Sequence, residues 1–292
     1  MRKLSDKLFG AVMGLFCLMA VLLLAFLVFF VTRESLPAIR DVGLKALLLG
    51  DQWRPIIYQD APSYGMRNMI LSTLYVSALA VAFALIIGVG CALFLACRAT
   101  AGQRAAIMPY IDLLASVPSV VYGFVGLYIV IKFIENCGRA AGESILAGGI
   151  VLSVMILPYM ISSCCETMVK IHDRYDLSSR SMGVSRWYMA GQLVLPASRR
   201  GILISMALAT GRAMGETMAV MMVMGNAMAV PTLLGKGETI AALIALEMGI
   251  AEVGSTHFSA LFFAGFALMV LLFAINILFE LLKRKLTKEG SL

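Results

Sequence analysis

Six long apolar stretches constrain the fold of this chain more than any other feature of its sequence. They cover approximately residues 9–32, 69–96, 107–133, 145–168, 201–225 and 257–281. A bilayer core is crossed by about 20 consecutive apolar residues. Backbone groups in lipid must be hydrogen-bonded internally, so each stretch is expected to be a helix. The sequence therefore predicts an all-α integral membrane protein with six transmembrane helices.

The composition excludes most other classes of protein. Of the 292 residues, 61% are hydrophobic and 14% are charged, against roughly 25% charged in ordinary soluble domains. Soluble enzymes, disulfide scaffolds and disordered regulators are excluded on this ground. The first apolar stretch follows three basic residues like a signal peptide, but its length predicts an uncleaved helix. His172 and His257 are far apart in sequence, and Cys164 and Cys165 are expected to be packing residues, so no metal site is predicted.

The basic residues predict how the chain is oriented in the membrane. Most of the 24 lysines and arginines lie at the N-terminus, in the loop after the second stretch, in the loop 169–200 or in the C-terminal tail. Short loops rich in Lys and Arg remain in the cytoplasm. Both termini and the loop 169–200 are therefore predicted to be cytoplasmic.

The loop 169–200 is the most informative polar segment. The stretch from Asp176 to Arg186 is predicted to form a short helix along the membrane surface, with Gly183 allowing a tight turn. Pro196 is expected to end the loop before the next span. Two interpretations remain open: the loop either only fixes the topology, or it binds a partner protein.

A motif in this loop resembles one in the permeases of binding-protein-dependent ABC importers. Those permeases carry E-A-A-x-x-x-G, nine further residues and then I-x-L-P. This chain has Leu177-Ser178-Ser179-Arg180-Ser181-Met182-Gly183, nine residues, and Leu193-Val194-Leu195-Pro196. The glycine and the Leu-Pro pair match, whereas Leu177 replaces the glutamate and Ser178 and Ser179 replace the two alanines. The resemblance implies that this loop docks on an ATPase.

Two further motifs are similar to those of PstC-type phosphate permeases. The third apolar stretch contains Ser116-Val117-Pro118-Ser119-Val120-Val121-Tyr122-Gly123, and the fifth contains Gly211-Arg212-Ala213-Met214-Gly215-Glu216-Thr217-Met218-Ala219-Val220. The resemblance covers roughly residues 50–282. By resemblance and position, six residues are expected to shape the substrate pathway: Pro118, Ser119, Tyr122, Gly123, Gly211 and Gly215.

The resemblance also implies an architecture and a set of partners. It implies a type I ABC importer permease (MetI-like) at 69–282, preceded by a transmembrane helix and periplasmic segment at 1–68 and followed by a basic tail at 283–292. Expected partners are a homologous permease (PstA-like), a dimeric cytoplasmic ATPase (PstB-like) and an extracytoplasmic phosphate-binding protein (PstS-like), but no nucleic acid. The chain has no G-x-x-x-x-G-K-[ST] loop. ATP is therefore expected to be hydrolysed on the ATPase, and no cofactor or enzymatic activity is expected of this chain.

Arg212 and Glu216 are the predicted substrate-pathway residues. Ionised side chains deep in a span usually face a bundle interior or a watery cavity, and the i,i+4 spacing of these two places them on one face of the helix, where they can pair. Arg212 is then expected to bind phosphate. Glu216 would accept a hydrogen bond from a phosphate hydroxyl, which fully ionised sulfate lacks. Alternatively, the pair only fixes helix packing.

Three other functions are less consistent with the sequence. An intramembrane enzyme would use Glu216, Asp112 or the cysteines, but the chain has no G-x-S-x-G or H-E-x-x-H motif. A stand-alone secondary transporter is disfavoured because no inverted repeat is visible. A permease for sulfate or molybdate keeps the same architecture and is the main alternative to a phosphate permease.

Overall fold

The computed structural model describes residues 2–55, 62–138 and 141–289, and side chains only within 9–286. These residues are mainly helical. The first part contains α1 (Arg2–Asp41), α2 (Leu44–Leu49), β1 (Trp53–Arg54), β2 (Ser63–Tyr64), α3 (Arg67–Cys97) and α4 (Ala101–Ala115). Next come α5 (Ser119–Val125), a π-helix (Gly126–Ile131), α6 (Lys132–Asn136) and α7 (Ile145–Ser181). The last part contains α8 (Arg186–Tyr188), a second π-helix (Met189–Val194), α9 (Leu195–Ala197), α10 (Arg199–Met214), α11 (Met218–Val223), α12 (Ile240–Glu247) and α13 (Thr256–Glu289).

The predicted all-helical membrane fold is confirmed. Among the described residues, five helical segments are long and apolar enough to cross a membrane: Phe9–Asp41, Arg67–Cys97, Ser119–Asn136, Ile145–Ser181 and Thr256–Leu286. A sixth exists if Arg186–Ala197 and Arg199–Met214, which meet at 61°, are counted as one span. The last span continues into the predicted basic tail, because α13 extends to Glu289. Residues 290–292 of that tail lie outside the described part of the chain.

The third and fifth apolar stretches are each interrupted, so the prediction of one helix for each was wrong. In the third, α4 ends at Ala115 and α5 begins after Pro118. Proline has no N–H to donate and disfavours helical backbone in the residue before it. In the fifth, α10 ends at Met214 and α11 begins at Met218. Pro109 and Pro158 lie inside α4 and α7.

The core is formed mainly where α3 packs along α7. Small residues allow the two helices to approach closely: Ala80 and Ala84 of α3 are fully buried, and a Cβ at Gly149 of α7 would lie 2.5 Å from Leu79 Cδ2. Packing of this kind is a main source of helix association in lipid. Cys164 and Cys165 are buried in the same cluster and are free thiols. The α3–α7 pair therefore provides the scaffold for the other helices.

A second cluster closes one end of the molecule, which we call the Trp53 end. Trp53 pairs with Tyr64 between the two short strands. The Nε1 of Trp53 donates to Glu247 Oε2 at 2.7 Å, and His257 Nε2 lies 2.7 Å from the same oxygen. Burial, aided by the charge of Glu247, raises the pKa of the nearby Glu238 to about 8. A protonated Glu238 adds no charge to this end at neutral pH. These contacts tie the segment before α3 to α12 and α13.

The opposite end, which we call the Arg98 end, contains the loop singled out in the sequence. The short helix predicted at Asp176–Arg186 was wrong, because α7 continues to Ser181 as one helix of 37 residues. Two ion pairs with i,i+4 spacing, Lys170–Glu166 and Arg180–Asp176, lie on this last part of α7. Gly183 then ends the helix with φ +67.

The predicted tight turn at Gly183 is a Schellman motif. The N–H of Val184 donates to Ser179 O at 2.9 Å, and the N–H of Gly183 donates to Arg180 O at 3.1 Å. Both bonds satisfy carbonyl groups left unpaired at the end of the helix. The chain then reverses into α8, whose start is capped by the Ser185 side chain accepting from the N–H of Tyr188.

Candidate functional site

The first candidate site is centred on Arg212, near the end of α10. Its side chain is exposed, and its Cζ lies 4.4 Å from the ring centroid of Tyr159 on α7. A guanidinium held over an aromatic face gains a cation–π interaction and keeps its N–H groups free to donate sideways. Tyr159 therefore holds the cation in position without neutralising its charge.

A cavity of about 280 Å³ lies beside Arg212, between α4, α7 and α10. Its polar wall carries Asp112, Tyr159 and three serines, Ser162, Ser163 and Ser205. Ser162 donates to Asp112 Oδ1 at 2.8 Å, and Ser205 donates to Ser163 Oγ at 2.7 Å. Among the described residues, the wall of this mainly apolar cavity thus places one cation, one carboxylate and several hydroxyl groups near each other.

At the break after α4, side chains from neighbouring elements form hydrogen bonds with backbone carbonyl groups. A helix end leaves carbonyl groups without backbone partners. Tyr122 Oη donates to Leu114 O at 2.7 Å, and Tyr159 Oη donates to Ala115 O at 3.0 Å. Tyr159 therefore has two roles, because it satisfies the end of α4 and supports Arg212.

Glu216 does not pair with Arg212, so this prediction was wrong. The expected i,i+4 spacing needs a continuous helix, and α10 ends between the two residues. Among the described residues, no ion pair joins them. Glu216 Oε1 instead accepts from the N–H of Ala219 at 3.3 Å, which satisfies a backbone donor in the first turn of α11. In this structure Glu216 is positioned to stabilise the start of a helix.

The predicted pathway-shaping residues fall into two groups. Pro118 and Ser119 begin α5, and Gly123 lets α5 approach α11, because a Cβ there would lie 2.7 Å from Met222 Sδ. Gly211 and Gly215 do not bring a second helix close. A Cβ at Gly211 would meet nothing within 4 Å, and one at Gly215 would meet only carbonyl oxygens of its own helix. These two glycines instead leave the surface beside Arg212 open.

The residues predicted to form the ATPase-coupling loop lie at the Arg98 end. Leu177 is 79% exposed and Met182 is 72% exposed, whereas Ser179 is buried. Ser178 and Gly183 are exposed, and Leu195 and Pro196 are half-buried where the second π-helix joins α9. Exposed apolar side chains around a rigid turn are typical of an interaction surface. We call Leu177–Gly183 the coupling turn.

Sequence reasoning missed several groups of the Arg212 cavity. Asp112 was considered only for an enzyme, although a carboxylate within an apolar stretch indicates a functional position by the same rule that selected Arg212. Tyr159 and the serines gave no comparable signal, because neutral polar residues are common in membrane helices. No three His, Cys, Asp or Glu side chains among the described residues are grouped so that they could hold a metal ion.

Comparison with known proteins places the chain in a family. Residues 88–288 match the family described as "Binding-protein-dependent transport system inner membrane component", and the chain belongs to this family. It is a family of transport permeases, so this is a subunit of a membrane importer of the ABC class.

Within this family, the chain is similar to several individual permeases. The chain is 32% identical to the probable ABC transporter permease protein YqgH of Bacillus subtilis, over 81% of this chain and 75% of that protein. It is 30% identical to the phosphate transport system permease protein PstC of Xylella fastidiosa, over 82% and 79%. It is 29% identical to PstC of Haemophilus influenzae, over 96% and 94%.

Solved structures confirm the fold at lower sequence similarity. An alginate ABC transporter in complex with its pentasaccharide-bound periplasmic protein matches with a TM-score of 0.60 at 16% identity, over 93% of this chain and 95% of that one. An inward-facing form of the MetNI methionine ABC transporter matches with a TM-score of 0.59 at 14% identity, over 76% and 97%. The architecture is therefore that of type I (MetI-like) importer permeases, as the sequence motifs implied.

The contact of Glu216 with α11 generates a stability prediction. Replacing Glu216 with Ala removes the acceptor of the Ala219 N–H and should destabilise the protein by about 1 kcal/mol, as loss of a helix cap does. Glu216→Gln retains a side-chain oxygen and should preserve most of the stability. Thermal unfolding of the assembled importer compares the two variants. Equal destabilisation by both would contradict the assigned contact.

Proposed function

We propose that this chain is a permease subunit of an ATP-driven phosphate importer and forms half of its translocation pathway. The observation that carries the proposal is Arg212, an exposed guanidinium at an interrupted span, supported on Tyr159 and adjoining a cavity whose wall includes Asp112 and three serines. The relatives named as phosphate permeases support the choice of cargo. The Trp53 end would face the outside and the Arg98 end the cytoplasm, with both termini cytoplasmic.

Arg212 would bind the anion through its planar fork of N–H donors, which fits two oxygens of a tetrahedral phosphate. Asp112, in the wall of the same cavity, would accept the hydrogen bond of a protonated phosphate oxygen. Sulfate at neutral pH has no such proton, so a carboxylate there would repel it. This assigns to Asp112 the discriminating role that the sequence had suggested for Glu216.

The partners follow from the same proposal. A second permease (PstA-like) would complete the pathway, and a phosphate-binding protein (PstS-like) would deliver the anion at the Trp53 end. The coupling turn would contact an ATPase dimer (PstB-like), on which ATP is hydrolysed. Because α7 is one continuous helix from Ile145 to Ser181 and carries both Tyr159 and the coupling turn, movement of the ATPase can be transmitted as a rigid-body shift.

Replacing Arg212 tests the pathway directly. In proteoliposomes containing the assembled importer, Arg212→Gln should reduce phosphate uptake at least a hundredfold, because Arg212 is the one cation among the described residues of this cavity wall. Arg212→Lys is the matched control, since it keeps the charge but not the fork, and it should retain partial uptake. Wild-type uptake by an assembled Arg212→Gln importer would refute the proposal. Stronger uptake of sulfate or molybdate than of phosphate by the wild type would favour the alternative cargo.

The coupling turn has its own test. Gly183→Trp places a bulky side chain at an exposed position with φ +67 and nothing within 4 Å. It should leave assembly intact and preserve ATP hydrolysis while reducing uptake about tenfold or more, because the bulky side chain would alter the contact through which ATPase movement reaches the turn. Gly254→Trp is the control, since Gly254 has φ +86, equally open surroundings and a place at the Trp53 end. Equal phosphate uptake by both variants would contradict a coupling role and favour the alternative that the loop only fixes the topology.

A further inference from the structure

A second cavity lies at the Arg98 end, away from the Arg212 site. Its volume is about 330 Å³, within the roughly 300–1,000 Å³ of small-molecule pockets. Three segments form its wall: the end of α3 with the turn into α4, the last part of α7, and the start of α8. The described wall contains the thiol Cys97 and seven charged or imidazole side chains, Arg98, Arg104, His172, Asp173, Asp176, Arg180 and Arg186.

The two carboxylates of this cavity already have partners. Asp176 Oδ1 lies 2.9 Å from Arg180 Nε, and Asp173 Oδ1 lies 3.3 Å from His172 Nδ1. Each acidic group therefore faces a basic or titratable group of its own helix. Four arginines against two aspartates leave the described wall with a net positive charge when His172 is neutral.

Three of these guanidinium groups lie near helix ends: Arg98 follows α3, Arg104 is near the start of α4, and Arg186 begins α8. Arg98 lies over the ring of Trp187, with Cζ 5.4 Å from its centroid, an interaction that orients a cation without neutralising it. Within the described residues, no carboxylate oxygen lies within 4.0 Å of the guanidinium nitrogens of Arg98, Arg104 or Arg186. Basic residues that only set the orientation of the chain in the membrane need not line the same cavity.

The start of α4 adds to the same positive field. Thr100 and Ala101 are part of the cavity wall, and α4 is 15 residues long. A capping box pairs the N–H groups of Thr100 and Gln103 with each other's side chains, and the N–H groups of Ala101 and Gly102 are the first-turn donors that this box does not use. Amide groups at a helix N-terminus favour an anion.

We propose that this cavity, which we call the Arg98 pocket, binds the phosphate group of an anion at the cytoplasmic membrane surface. Guanidinium groups from three segments and a helix N-terminus are the donors that tetrahedral phosphate oxygens accept. The phosphate belongs either to the headgroup of an anionic inner-leaflet lipid or to free inorganic phosphate. Because Arg180 and Arg186 flank Gly183, a bound anion would also rigidify the coupling turn.

The test measures binding of two probes to the assembled importer in detergent. Native mass spectrometry counts retained phosphatidylglycerol, with phosphatidylcholine as the zwitterionic comparison, and equilibrium dialysis measures inorganic phosphate. The phosphate measurement uses an Arg212→Gln background, so that the translocation pathway does not contribute and failure of the proposed cargo does not affect the result.

The variants are Arg104→Gln in α4 and Arg186→Gln in α8. The matched control is Arg174→Gln, because Arg174 lies on α7 beside Tyr175 and outside the pocket. Loss of one guanidinium should weaken binding of one probe about tenfold or more, and Arg104→Lys should restore most of it if assembly is intact. Weakened phosphatidylglycerol binding identifies a lipid, and weakened phosphate binding identifies the free ion. The proposal is overturned if neither probe binds the wild type, or if all three glutamine variants bind both probes equally.

Discussion

The requirement that backbone groups be hydrogen-bonded within a membrane determines how this structure is organised. The chain is interrupted in two of its apolar stretches, after Ala115 and after Met214. Each interruption would leave polar backbone exposed to an apolar environment, at a cost of several kcal/mol per unsatisfied group. Polar side chains form hydrogen bonds with the backbone at both interruptions. Tyr122 and Tyr159 donate to carbonyl groups at the end of α4, and Glu216 accepts from an N–H group of α11.

The residues that repair the first interruption also create the candidate site. Tyr159 bonds the end of α4 and supports the guanidinium of Arg212, so the break and the cation are positioned by one side chain. The same helix, α7, continues to the coupling turn at the other end. A rigid helix that contacts both sites is a physical basis for linking ATPase movement to the anion pathway.

The membrane-spanning segments could be predicted from the sequence, but the interruptions could not be placed. Hydropathy measures how apolar a stretch is, but it does not show where the helix within that stretch ends. Pro118 gave a signal for the first break. The residues Gly215–Thr217 gave only a weak signal for the second break, because a single glycine is tolerated within helices. The prediction that Arg212 and Glu216 form an ion pair was wrong for this reason, because it required a helix that continues from one residue to the other. Arg212 itself was found because an ionised residue in an apolar stretch is costly and therefore functional, and the same reasoning would have selected Asp112.

A cysteine-accessibility scan of residues 213–220 tests the break in the fifth span most directly. Single cysteines would be introduced into an importer whose six native cysteines in this chain are replaced, and their reaction with a small charged thiol reagent measured. The structure predicts reaction at the consecutive positions 215, 216, 217 and 218, with protection at 213, 214, 219 and 220, which are buried. Reactivity that instead recurs at every third or fourth position would show a continuous helix and contradict the account of how Arg212 is presented.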